Sequence, residues 1–194
     1  MMTKDRRRIP AAAGALALAG VLGLSGCGFI GQPKTASAEL SEWFTVTSPV
    51  FRDGRDFPTR YACTTYPGGA ATTPPLRWSG TPAGTRSFAI VMDDPDAETG
   101  AYVHWVMGGI EGTTQQLVEG AQLNKTVNGL NTSEKVGYAP PCPPKGERHR
   151  YRFTIYALNT EVPFRSGAPL KESLGAIADH TVGRGRITGN FGGK

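Results

Sequence analysis

The stretch Val91-Met-Asp-Asp-Pro-Asp-Ala-Glu-Thr-Gly-Ala-Tyr-Val-His-Trp-Val-Met107 sets an acidic turn and a histidine between two strongly apolar segments, which is how a polar pocket is built into a β-core. Immediately upstream, Ser87-Phe-Ala-Ile-Val-Met92 is a short apolar run with β-branched and aromatic residues, the pattern of a strand buried on both faces. Asp93-Asp94-Pro95-Asp96 ends it. Pro95 has no N–H to give a ladder and disfavours helical backbone at Asp94, so the carboxylates are expected on a fixed bend at the strand end. Regular alternation in the second segment puts Tyr102, His104 and Val106 on one face, with Val103, Trp105 and Met107 on the other. His104 is then the polar exception on its face.

An isolated histidine on an apolar face is most often a satisfied core residue. A second segment argues for more. In Arg148-His-Arg-Tyr-Arg-Phe-Thr-Ile-Tyr156, His149, Tyr151, Phe153 and Ile155 share one face, and Arg148, Arg150, Arg152 and Thr154 the other. The chain has three histidines. Two of them lie on strands facing apolar surroundings, each close to a Pro- or Gly-rich turn, and this points to a shared site. The three arginines read as a solvated strand face.

Asp94-Pro-Asp-Ala97 followed by Val103-His-Trp105, then Gly137-Tyr-Ala-Pro-Pro-Cys-Pro-Pro-Lys-Gly146 followed by His149-Arg-Tyr151, resembles the phosphatidylethanolamine-binding protein family, in its bacterial Raf-kinase-inhibitor-like branch. Thr73-Pro-Pro-Leu-Arg-Trp-Ser-Gly80 is similar to that branch as well, and the resemblance covers roughly Phe44 to Thr188. It implies a small anion-binding cavity in which Asp94, His104, His149 and Tyr151 converge, with Pro141 in the rim loop. The chemistry is coherent: imidazole N–H groups and a phenol donate to a phosphate, while a carboxylate orients a ring and raises its pKa. Asp94 therefore acts on an imidazole rather than on the ligand. Asp96 is expected to fix its turn by accepting from backbone N–H groups, with the cavity as its alternative. Glu98 and Ala139-Pro140-Pro141 depart from the family pattern at the rim, where they bear on ligand preference.

At the start of the chain, Lys4 and Arg6–Arg8 precede an apolar stretch from Ile9 to Leu24 that is shorter than the ~20 residues a spanning helix needs. Leu24-Ser-Gly-Cys27 resembles a bacterial lipobox, which implies that residues 1–26 are a signal peptide and that Cys27 carries acyl chains. Residues 27–41 read as the acylated cysteine and a flexible tether, and 42–194 as one exported domain held at the outer face of the cell membrane. With Cys27 acylated, Cys63 and Cys142 remain, and in an exported domain they are expected to form a disulfide; the alternative is two separate thiols. Without residues 1–26 the chain keeps 17 basic and 15 acidic residues. No Lys/Arg stripe or aromatic–basic motif remains, which argues against nucleic acid.

Short alternating strands with Pro/Gly-rich turns predict a mainly β fold, a two-sheet antiparallel sandwich. The segment 42–49 reads as its first strand, Gly108–Lys135 as long polar excursions, and Arg186–Thr188 as a short last strand. Leu170, Leu174, Ile177, Ala178 and Thr181 recur at helical spacing and predict a short C-terminal helix packed on the sheet. The function expected is non-catalytic binding of a small anion, phosphate or phospholipid headgroup, with no cofactor. Two alternatives carry weight. One is a protein-interaction or inhibitor module of the kinase- or protease-inhibitor kind; the other, weaker, is a metal-dependent hydrolase using Asp94, His104 and His149, which lacks His-x-His and His-Glu-x-x-His spacing.

Overall fold

The computed structural model describes residues 42–193, apart from Thr99, Gln122 and Asn124. The expected signal peptide, the expected acylation site Cys27 and the expected tether lie outside the described residues. The strands are β1 (Glu42–Trp43), β2 (Thr45–Thr47), β3 (Arg55–Asp56), β4 (Leu76–Ser79), β5 (Ser87–Asp94), β6 (Tyr102–Glu111), β7 (Gln116–Leu117), β8 (Val127–Asn128) and β9 (Arg148–Leu158). Helix α1 (Leu170–His180) and strand β10 (Thr181–Gly192) follow. The large sheet runs β1-β10-β9-β5-β6-β8, with β3 also on β10, and the small sheet runs β2-β4-β7. This is the two-sheet, mainly antiparallel architecture that the alternation predicts. Only the short edge pairs β1/β10 and β3/β10 are parallel.

All eight positions of β5 are buried, because the large sheet is covered on both faces. One face meets the small sheet across an aromatic core containing Phe44, Trp78, Phe88, Phe153 and Ile155. The other lies under α1, whose Leu170, Leu174 and Ile177 pack with Ala89, Val91, Val106 and Leu158. Burying such side chains contributes roughly 1.5–3 kcal/mol each.

Four sequence expectations need correction. The segment 42–49 is two strands in two sheets: after β1 the chain crosses at Phe44, whose N–H donates to the Arg184 carbonyl at 3.1 Å, before β2 pairs with β4. The excursions begin later than expected, since β6 runs through Gly108 and Gly109 to Glu111 and buries Ile110 fully, while β7 and β8 lie within 108–135. The last strand is twelve residues long rather than three and pairs with β9 along its length. Its glycines mislead because they fall on the buried face, where aromatic and aliphatic groups take the space their side chains would fill. A Cβ on Gly185 would lie 2.5 Å from the Phe44 carbonyl oxygen, and one on Gly189 2.6 Å from the Phe57 ring. Gly185→Ala is therefore expected to lower stability by about 1–3 kcal/mol in urea unfolding, since a backbone carbonyl must move to admit the methyl.

The fourth correction is at His104. Met92 pairs with Trp105 and Asp93 with Val103, so His104 is the extra residue of a β-bulge. The bulge breaks the alternation and brings the His104 ring 5.3 Å from the Tyr151 ring, while Val106 faces α1.

Candidate functional site

Antiparallel pairing brings the end of β5, the start of β6 and the start of β9 to one edge of the large sheet: Asp94 opposes Tyr102, and Asp93 opposes Arg152. Asp94, His104, His149 and Tyr151 meet there. All four are buried and all line one cavity of about 360 Å³, together with Glu98, Tyr102 and the loop residues Ala139 and Pro140.

Asp94 is the hub. Its Oδ2 accepts from His149 Nδ1 at 2.7 Å and lies 3.9 Å from His104 Nε2, while its Oδ1 accepts from the Asp96 N–H at 2.8 Å. Burial alone would raise its pKa, but the two imidazoles and that N–H hold the carboxyl below its usual range. His104 Nδ1 donates to the Ala139 carbonyl at 2.8 Å, and the Ala139 N–H donates back to the His104 carbonyl at 2.9 Å. That pairing puts a proton on Nδ1 and fixes the ring, so Nε2 is the nitrogen on the Asp94 side.

His149 is held between two carboxylates: Nδ1 donates to Asp94, and Nε2 donates to Glu147 Oε2 at 3.1 Å. Burial opposes its charge, yet the hydrogen bonds to Asp94 and Glu147 prevail and raise its pKa. Both acceptors are carboxylates, so the arrangement favours the ring with a proton on each nitrogen. Tyr151 is 1% exposed, and its hydroxyl has no hydrogen-bond partner among the described residues. Burial first, and then the nearby Asp94 charge, push its pKa up, so it stays a neutral donor.

Two expected residues sit elsewhere. Pro141 does not line the cavity: it is buried, with its carbonyl accepting from the Cys63 N–H at 2.9 Å, and Pro140 takes the lining position. A proline-rich run turns its successive rings to different sides, and the family motif alone cannot say which faces the cavity. Asp96 does not cap its own turn, since Asp94 Oδ1 does that. It clamps β9 instead, accepting from the Arg150 N–H at 2.9 Å and from Nε and Nη2 at 2.9 and 2.6 Å. Those bonds hold its pKa down to about 2. Arg152 pairs with Asp93 and Arg148 with Asp56, so the basic face of β9 is ion-paired rather than merely solvated. Glu147 and the Ala139 carbonyl were not foreseen. Glu147 stands two residues before His149, the same-face spacing of extended chain, which is the signal that could have flagged it.

Cys63 and Cys142 are disulfide-bonded, with Cα atoms 5.4 Å apart. The bridge ties the Pro-rich rim loop to the 61–70 loop, assisted by the Tyr66 hydroxyl donating to the Pro143 carbonyl at 2.7 Å. Among the described residues, no group of three or more His, Cys, Asp or Glu is arranged to hold a metal ion.

A family model described as phosphatidylethanolamine-binding protein matches residues 47–192. The Mycobacterium tuberculosis protein named "Putative lipoprotein LppC" is 37% identical over 208 residues, covering 99% of this chain and 100% of the relative. A UPF0098 protein of Chlamydia muridarum is 34% identical over 151 residues, covering 75% of this chain and 97% of the relative. Two solved structures share the fold. E. coli YbcL, described as a member of the mammalian PEBP family, is 31% identical with a TM-score of 0.72, covering 78% of this chain and 99% of that one. CT736 of Chlamydia trachomatis is 33% identical with a TM-score of 0.69, covering 78% and 98%.

Proposed function

Because the chain belongs to the phosphatidylethanolamine-binding protein family, we propose that it is a lipid-anchored binding protein, not an enzyme, whose Asp94/His104/His149/Tyr151 cavity takes a small anion or the phosphate of a phospholipid headgroup. The observation that carries this reading is the convergence of Asp94, His104, His149 and Tyr151 on one cavity, where the Tyr151 hydroxyl bonds no described residue. His104 Nε2 complements it: neutral, it accepts from the P–OH of a phosphate monoanion; protonated, it donates to a P–O⁻. Asp94 holds the rings and contributes no donor.

The anchor reading rests on Leu24-Ser-Gly-Cys27 and on the name of the mycobacterial relative, which aligns over almost the whole chain. Acylation of Cys27 would keep the cavity near the outer face of the cell membrane, where phospholipid headgroups are its nearest phosphate esters. Among the described residues no helix is long and apolar enough to cross a membrane.

Calorimetric titration with phosphoethanolamine and with inorganic phosphate tests the site. Tyr151→Phe is expected to weaken binding by about 2–10-fold, the worth of one hydrogen bond, without lowering the unfolding temperature. Unchanged binding in Tyr151→Phe and in His149→Ala would remove the cavity as the binding site.

A further inference from the structure

Resting on the binding function just proposed, we propose that Glu147 is a built-in competitor: its carboxylate occupies the His149 Nε2–H that an anionic ligand oxygen needs, and a ligand must displace it. His149 lines the cavity and also an adjoining recess, where it sits with Asp96, Glu147, Arg148, Arg150 and Asn190. The two carboxylates on the ring are not equivalent. Asp94 is 3% exposed and is held by a second bond from the Asp96 N–H, so it stays. The Glu147 side chain is 44% exposed, and His149 is its one hydrogen-bond partner among the described residues. The neighbouring guanidiniums do not compete for it, since Arg148 is paired with Asp56 and Arg150 with Asp96.

The backbone under Glu147 is fixed. Its N–H donates to the Pro144 carbonyl at 3.0 Å, and its carbonyl accepts from the Gly193 N–H at 2.7 Å. Displacement is therefore a side-chain rotation into water that leaves the β9 ladder intact. A carboxylate and a phosphate offer the same charge-assisted bond to an imidazolium, so the exchange is close to balanced. Apparent affinity is then reduced by the fraction of molecules in which Glu147 holds the ring. The contact selects for anions that accept strongly, and a weak acceptor such as chloride leaves it in place.

The test is titration of the wild type, Glu147→Gln and Glu147→Ala with inorganic phosphate and with phosphoethanolamine, each in low salt and in 0.5 M NaCl. Both variants are expected to bind both probes at least about fivefold more tightly, and the gain persists at high salt, because direct displacement is screened far less than a general charge effect. A gain that vanishes in salt overturns the competition, and so does weaker binding in the variants, which would make Glu147 a positioning residue for His149. Phosphate binding by the wild type that neither variant alters sinks this inference alone. Binding of neither probe by any of the three proteins overturns it together with the function it rests on.

Discussion

Replacing Asp94 with alanine is expected to destabilise the protein by roughly 3–5 kcal/mol, the cost of removing one partner from a buried ion pair. The loss is large because two donors lose their acceptor together, the His149 Nδ1–H and the Asp96 N–H that closes the turn, and the His104 ring loses the carboxylate 3.9 Å from its Nε2. The pH profile carries the same signature. The depressed pKa of Asp94 contributes stability above the unfolded carboxylate value, near pH 4, and that contribution disappears as pH falls through the folded value. The raised pKa of His149 contributes stability below the unfolded imidazole value, near pH 6.5, and that contribution disappears as pH rises through the folded value. The pair therefore stabilises most between about pH 4 and 6.5. Urea unfolding from pH 3 to 9 is expected to show both limbs in the wild type and both flattened in Asp94→Ala. Equally steep limbs in the variant would mean that other groups carry them.

Removing the Cys63–Cys142 bridge as the double alanine variant is the second large effect. The bond closes 79 residues of sequence, and constraining the unfolded chain over that span contributes about 2–4 kcal/mol in practice. The loss falls on the cavity as well as on the fold, because Cys142 lies in the loop whose Ala139 fixes the His104 ring. The remaining ties include hydrogen bonds from the Cys63 N–H to the Pro141 carbonyl, from the Tyr66 hydroxyl to the Pro143 carbonyl, from the Tyr138 hydroxyl to the Tyr61 carbonyl, and the pair exchanged between Ala139 and His104. Thermal melts and phosphoethanolamine titration of the same variant should therefore fall together. A variant that melts lower but binds unchanged would show that the rim loop is held well enough by those bonds.

What the sequence made legible follows from the range over which each signal acts. Alternation in Arg148–Tyr156 is local, and it placed His149, Tyr151, Phe153 and Ile155 on the inner face correctly. The helical spacing of Leu170, Leu174 and Ile177 is equally local, and α1 packs on those three, whereas Ala178 is exposed and Thr181 opens β10. Failures came where a distant segment decides. Gly185 and Gly189 read as the two flanks of a three-residue strand until Phe44 and Phe57 are seen filling the space above them. His104 looks like a neighbour of Val106 until the register with β5 shows the bulge. Asp96 faces Arg150, a partner 54 residues away that no turn rule names. The disulfide was legible by arithmetic on three cysteines, whereas the acceptor role of Ala139 was not, because a backbone carbonyl has no signature in sequence.

His104, His149 and Tyr151 are proposed to serve one anion in the cavity they line, with Asp94 holding the rings. The most direct measurement is the imidazole ¹H–¹⁵N spectrum of the folded domain during titration with phosphoethanolamine. His180 is the internal reference, since it bonds Asn159 at the opposite end of β9. Saturable shifts of the His104 and His149 ring nitrogens with one common dissociation constant, and a still His180, are predicted. Saturable binding that leaves both rings unmoved would contradict the account.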